Sequence, residues 1–310
     1  MRAPPGAARV WAALAVVYVV WGSTYLFILL AERTLPVFVM SSLRFLLAGG
    51  LLYVWAVRRG ERAEDRPGRR QWLAAAVIGA LLFVGGNAGV AWAEKRVDTG
   101  VSSLVIATIP LWIAVFDRIA TGQRLTRLGG LGLAVGFAGA ALLAGPTGAG
   151  HIDVAGAIVL LLAAAAWAAG SLYSRRAPLP RRPLVSSSMQ MLTGGALLAV
   201  VAAASGELGQ VHHVSLTSGL ALVYLIVFGS LLAFTCYAWL LRNARTSLVA
   251  TYAYANPLVA VFLGWAVESE PIGARTLIAG ALILGAVALI VTPPKERPRE
   301  TAVAVPARGS

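Results

Sequence analysis

Apolar residues in this chain fall into long unbroken runs, not into the period-two or period-3.6 patterns of half-buried strands and amphipathic helices. Three of these runs, 10–31, 72–93 and 154–174, contain no Asp, Glu, Lys or Arg. Each is long enough to carry a helix of about 20 residues across a hydrocarbon core. Reading every apolar run against its charged or Pro/Gly breaks predicts ten helices, at 10–31, 36–57, 72–93, 99–117, 127–145, 154–174, 184–204, 218–240, 246–267 and 273–292. The expected fold class is an all-α polytopic membrane protein with ten transmembrane helices. The Pro-rich polar stretch 293–310 reads as a disordered cytoplasmic tail.

Composition sharpens this picture. The chain has 310 residues, 58% hydrophobic and 13% charged, against about 25% charged in a soluble domain. A net charge of +13 would suggest nucleic acid as a partner if the protein were soluble. Here the basic residues sit in alternate connections: with a cytoplasmic N-terminus, 21 of the 26 Lys and Arg fall in inside segments and 4 outside, leaving Arg44 within a span. That asymmetry follows the positive-inside rule, so the expected partner is the lipid bilayer, nucleic acid is excluded, and both termini face the cytoplasm. The single cysteine, Cys236, excludes an intrachain disulfide and a cysteine metal cluster. His212 and His213 share an outer loop with Glu207 but lack spaced partners for a metal. No metal or cofactor is expected. The first apolar run is too long, and lacks a clear cleavage site, to be a removed signal peptide.

The two halves resemble each other. Gly22-Ser23-Thr24-Tyr25 in the first span returns 148 residues later as Gly170-Ser171-Leu172-Tyr173 in the sixth. Thr99 followed by Ile109-Pro110-Leu111 returns 147 residues later as Thr246 followed by Asn256-Pro257-Leu258. The shared offset predicts two five-helix repeats, 1–147 and 148–292. Five is odd, so the repeats enter the membrane from opposite faces, which is the inverted architecture of many secondary transporters.

Trp21-Gly22-Ser23-Thr24-Tyr25, Leu43-Arg44-Phe45-Leu46, Ala93-Glu94, Ile109-Pro110-Leu111 and Tyr252-Ala253-Tyr254-Ala255-Asn256-Pro257-Leu258-Val259-Ala260-Val261 together resemble the EamA family of the drug/metabolite transporter superfamily. The match spans roughly residues 10–292 and is similar to the bacterial drug/metabolite exporter branch. The resemblance implies ten helices in the cell membrane and efflux of amino acids, other small metabolites or drugs. An importer or exchanger of a sugar, vitamin or nucleotide-linked metabolite is the alternative on the same fold. One departure is Val267-Glu268-Ser269-Glu270-Pro271, where the family often has a glycine-glutamate-proline-like turn. At an outer loop, this change is expected to affect only local turn geometry.

Candidate transport residues follow from depth. Arg44 lies about 12 Å below the outer end of the second span at 1.5 Å per residue. An arginine there costs at least about 2.5–3.5 kcal/mol unless it faces protein or water. It is read either as a clamp for an anionic group or as a structural arginine bonded to carbonyls or an acid. Ser23, Thr24, Asn87 and Thr108 fall at a similar depth, with Ser171 the repeat mate of Ser23. Each hydroxyl has the competing role of an interhelical or one-turn-back hydrogen bond. Asn256, Trp21, Tyr25, Trp167, Tyr252 and Tyr254 complete the candidate pathway, with at most one of Tyr252 and Tyr254 facing it. Glu94 is the candidate coupling group, although Lys95, Arg96 and Asp98 directly after it favour an exposed interfacial loop. Pro110 and Pro257 are candidate gating kinks. No catalytic constellation such as H-E-x-x-H appears, so an enzyme is not expected. Monomer and homodimer both remain open.

Overall fold

A computed structural model describes residues 7–58, 67–122, 127–144, 153–244, 246–249 and 252–291. The expected tail at 293–310 lies outside the described residues. A chain surrounded by lipid must satisfy its backbone polar groups internally, and the apolar runs do so as helices. These are α1 (Ala7–Glu32), α2 (Val37–Arg58), α3 (Arg69–Glu94), α4 (Thr99–Thr121), α5 (Arg127–Ala144), α6 (Val154–Ser174), α7 (Pro183–Ala204), α8 (216–243), α9 (Tyr252–Glu268) and α10 (Ala274–Val291). Among the described residues, seven helical stretches, up to Leu216–Tyr237, are long and apolar enough to cross a membrane. Shorter apolar helices, Gly129–Leu142, Ala255–Glu268 and Ala274–Leu289, stand at the other predicted positions. The protein is an all-helical polytopic membrane protein.

Local chemistry sets the ends. Asp153 accepts from the Ala155 N–H at 3.0 Å to start α6, and Ser215 accepts from Ser218 N–H at 3.1 Å to start α8. Pro183 opens α7, where its missing N–H is not needed. Gly122 closes α4 with φ of 69°, a left-handed conformation that glycine adopts without strain.

Two helices change winding partway. Residues Ala80–Ala88 of α3 and Leu225–Leu232 of α8 are π-helical. Such segments are rare and collect at functional sites. The fourth helix breaks at Ala107–Thr108 and restarts at Ile109, with Pro110 in the first turn of the new segment. Pro110 therefore sits in a first turn, where no donor is required, directly after the break in α4. Pro257 lies inside α9, after a single helical turn at Thr246–Val249.

Packing follows the small residues. α2 lies along α7, α3 on α6 and α7, α10 on α5, and α1 between α8 and α9. A Cβ on Gly49 of α2 would stand 2.9 Å from the Leu192 nitrogen, and one on Gly195 of α7 would stand 2.9 Å from the Leu46 nitrogen. Gly79 and Gly194 bring α3 and α7 together in the same way. Gly85 and Gly89 face Ala166 and Ala163 of α6, while Gly136 and Gly139 seat α10 against α5. With lipid as apolar as leucine, such close approach supplies the dispersion contact that holds membrane helices together.

At the end of the bundle where α1 turns into α2, connections from the two halves are tied together. Arg33 pairs with Glu268 at 2.8 Å, and Arg96 with Asp153 at 3.6 Å. The Glu207 carboxylate accepts from the Phe38 and Val39 N–H groups at 2.7 and 3.2 Å, capping α2. Glu270 caps α4 in the same manner, accepting from Thr99 N–H at 2.7 Å, Gly100 N–H at 3.1 Å and the Thr99 hydroxyl. An acid at a helix N-terminus satisfies orphan donors and meets the positive end of the dipole. Ser269, with φ of 56°, turns the chain so that Glu270 reaches α4. The glutamate and proline of the family's turn stand here as Glu270 and Pro271, so the departure lies at Ser269, in the geometry of the turn.

Candidate functional site

The charged residue in the second span is the natural place to start. Arg44 is buried, and its Nε donates to the Ser230 hydroxyl at 3.1 Å. Among the described residues this is its one hydrogen bond, so the terminal guanidinium nitrogens are left for whatever enters the adjoining cavity. The guanidinium also stands 4.9 Å from the centre of the Phe45 ring. Gly229 gives it room, since a Cβ there would lie 3.3 Å from Nη2. Both partners, Gly229 and Ser230, belong to the π-helical part of α8.

The cavity next to Arg44 is lined by Trp21, Thr24, Tyr25 and Ile28 of α1, Asn87 and Val90 of α3, Ile106 and Ile109 at the break in α4, Trp167 of α6, Phe234 of α8, and Tyr252 and Asn256 of α9, among others. It holds about 120 Å³ of water-accessible space. An apolar cavity of roughly 150 Å³ accepts benzene, so this volume suits a single-ring or similarly compact group. Five aromatic side chains, Trp21, Tyr25, Trp167, Phe234 and Tyr252, stand in its walls. Trp21 meets Tyr252 edge-on with centroids 5.2 Å apart and Phe234 at 5.3 Å, and its Nε1 donates to the Gly229 carbonyl at 3.2 Å. Thus Trp21 is fixed by the same π segment that holds Arg44.

Thr24, Asn87 and Asn256 add polar groups to the lining beside Arg44. Thr24 donates its hydroxyl hydrogen to the Trp21 carbonyl at 2.6 Å, leaving oxygen lone pairs. Asn87 donates to the Leu82 carbonyl at 3.3 Å, across the π turn. Asn256 Oδ1 is enclosed and has no partner among the described residues. A buried amide oxygen without a donor is costly unless a ligand or water supplies one. The site therefore offers a cationic fork, an orphan acceptor and aromatic walls, the usual mix of a few convergent polar groups in an apolar pocket.

The structure gathers Trp21, Thr24, Tyr25, Arg44, Asn87, Trp167, Tyr252 and Asn256 around one cavity. Three other predicted residues stand apart from its lining. Ser23 faces α8, bonded to the Val20 carbonyl at 2.9 Å and the Tyr224 hydroxyl at 2.7 Å. Thr108 is buried at the α4 break, where it donates to the Val105 carbonyl at 2.6 Å. Ser171 lies one turn beyond Trp167 in α6 and outside the lining. The side chain of Tyr254 lies outside the described residues. Pro110 and Pro257 flank the site by sequence, next to the lining residues Ile109 and Asn256.

Glu94 differs from the expectation of an exposed interfacial loop. It is the last residue of α3 and only 5% exposed, and the exposed turn begins one residue later at Lys95. Both of its carboxyl oxygens are enclosed and unpartnered among the described residues. Sequence reasoning missed Phe234, Ile106 and Ile109 as lining residues, and it missed Glu32 as a second enclosed acid.

The EamA-like transporter family matches the chain twice, over residues 9–145 and 154–292. YedA of Escherichia coli K12, described as an uncharacterized inner membrane transporter, is 36% identical over 281 residues, covering 90% of this chain and 89% of that protein. The uncharacterized transporter YvbV of Bacillus subtilis is 24% identical over 286 residues, covering 91% of each. A solved crystal structure shares the fold with a TM-score of 0.60 at 23% identity, covering 91% of this chain and 96% of the other. Family match and relatives agree over nearly the whole length, and the chain belongs to the EamA-like transporter family.

Proposed function

We propose that this protein is a secondary transporter of the inner membrane that exports small metabolites, amino acids or related compounds, by alternating access. The observation that carries this reading is Arg44, a buried charge whose terminal nitrogens are free beside an aromatic cavity. A carboxylate fits the guanidinium fork as a paired acceptor. An ammonium or amide N–H fits Asn256 Oδ1, and an apolar side chain fits among Trp21, Tyr25, Trp167 and Tyr252. The volume favours compact solutes over bulky drugs.

The architecture in this proposal is ten spans in two inverted repeats, with both termini cytoplasmic. Support comes from the two family matches and from the π segments of α3 and α8, which begin 145 residues apart, at Ala80 and Leu225. The charge asymmetry of the connections supports the orientation. In that orientation the tied end, with Arg33–Glu268, Glu207 on α2 and Glu270 on α4, is the outer one. The structure is then an outward-closed state, and export requires these ties to part. Glu94 is the candidate coupling group because it is enclosed near Arg44 and Tyr25.

Mass spectrometry of the medium around cells expressing the wild type, Arg44→Ala or an empty vector tests the proposal. Export predicts a metabolite that accumulates outside with the wild type alone. Identical media from wild type and Arg44→Ala, with both proteins inserted at equal levels, would overturn the role given to Arg44.

A further inference from the structure

Two acids end two helices on the tied side of the bundle. Glu32 is the last residue of α1 and Glu94 the last of α3, with 7% and 5% of their surfaces exposed. All four carboxyl oxygens are enclosed, and none has a hydrogen-bond partner among the described residues. Helix α1 packs against the last turns of α3, which carry Glu94. Neither acid lines the solute cavity.

The surroundings do not neutralise them. The charged or titratable groups in electrostatic range are Lys95 and Glu207 for Glu32, and Arg44, Glu270 and Tyr25 for Glu94. Lys95 is exposed and hydrated, and Arg44 is directed to Ser230 and the cavity. Glu207 and Glu270 have their own partners in the N-termini of α2 and α4. Within this group four carboxyl groups meet two cations, and the two acids with no partner are Glu32 and Glu94. An ionised carboxylate away from water with nothing to bond is among the most costly groups in a membrane protein. A bound proton removes the charge.

We infer that Glu32 and Glu94 form a proton-binding site, separate from the solute cavity, through which transport is coupled to the proton gradient. The inference deepens the transport reading and rests on it. In the coupled cycle a proton from outer water bonds to a carboxylate oxygen of the pair while the outer ties are parted. The O–H bond breaks, and the proton passes to cytoplasmic water once the inner side opens. Protons move inward as solute moves outward, and no other reactant is consumed. The location suits the task, since both acids end their helices on the side of the bundle where Glu207 and Glu270 cap α2 and α4.

Proton binding can be read without knowing the solute. Infrared difference spectra of the purified full-length protein in nanodiscs, titrated with pH, report the carbonyl stretch of any protonated carboxylic acid. The expected result is a carbonyl band that persists at neutral pH, where water-exposed acids are ionised, and that weakens in Glu32→Gln and in Glu94→Gln and is absent at neutral pH in the double variant. Asp117→Asn, on an exposed position of α4, should leave it intact. If the Gln variants fail to fold by size-exclusion chromatography, Glu32→Asp and Glu94→Asp should instead shift the band. A wild type without the band, or a double variant or Asp variants that leave it unchanged, would overturn the inference. Replacement of choline by sodium that abolishes the band would also overturn it, by assigning the site to a metal cation. A missing band would leave export itself standing, whereas media without an exported metabolite would leave the band untouched.

Discussion

Glu270 offers a perturbation whose size can be worked from the structure. It reaches from the connection after α9 to the start of α4, accepting from two backbone N–H groups and one hydroxyl. Loss of a capping side chain costs about 0.5–2 kcal/mol. If these bonds form only in the outward-closed state, Glu270→Ala shifts the balance toward the open state by that amount. At 1.4 kcal/mol per factor of ten, the open population rises by about 2- to 30-fold. The assay is the rate at which a membrane-impermeant maleimide, added from the outer side, labels Thr24→Cys in the cavity of a Cys236→Ala protein. The rate should rise within that range in Glu270→Ala. Gly264→Ala should act alike, because a Cβ at Gly264 would run into the Glu270 carboxylate and displace it. Unchanged labelling in both variants, at wild-type expression, would refute the role of this contact as an outer tie.

Other expectations follow from single contacts. Arg33→Ala removes an ion pair whose arginine side chain is 52% exposed, so labelling should rise less than in Glu270→Ala, in keeping with about 0.2–1 kcal/mol for an exposed pair; fluorescence-detected labelling compares the two. Gly49→Ala forces a Cβ against the α7 backbone and should lower stability in detergent by about 1–3 kcal/mol, whereas Gly50→Ala, with nothing within 4 Å, should be neutral or slightly stabilising. Thermal unfolding of the purified variants distinguishes them. Ser230→Ala leaves the Arg44 Nε–H without its acceptor, a change of about 1.5–3 kcal/mol at a charged group, and should weaken solute binding at least tenfold by equilibrium dialysis while membrane insertion persists. Pro257→Ala should alter cysteine accessibility from the two sides if that residue serves gating; unchanged accessibility would make it a fixed element of α9.

Depth was legible in the sequence, and facing was not. Span positions follow from runs of uncharged residues because lipid forbids unpaired backbone, and one arginine within a run marks a wet or protein-lined place. That reasoning brings Arg44, Asn87 and Thr24 to the same layer, and they do line one cavity. Ser23 shares the depth yet turns toward Tyr224. A constant 100° per residue cannot be carried through Ala80–Ala88 or Leu225–Leu232, because a π turn takes an extra residue and rotates everything after it. This is why Phe234, just past the second π segment, went unnoticed as a wall. Glu32 and Glu94 look interfacial because charged residues follow them directly. Only the connections folded over them, bearing Glu207 and Glu270, show that they are enclosed.

The most direct test of the central claim loads proteoliposomes with an equal mixture of the proteinogenic amino acids and follows their release by mass spectrometry. Wild-type protein should release a subset with compact apolar or aromatic side chains, and Arg44→Ala at the same reconstitution level should release none above empty liposomes. Equal release by wild type and Arg44→Ala would contradict a solute site built on Arg44.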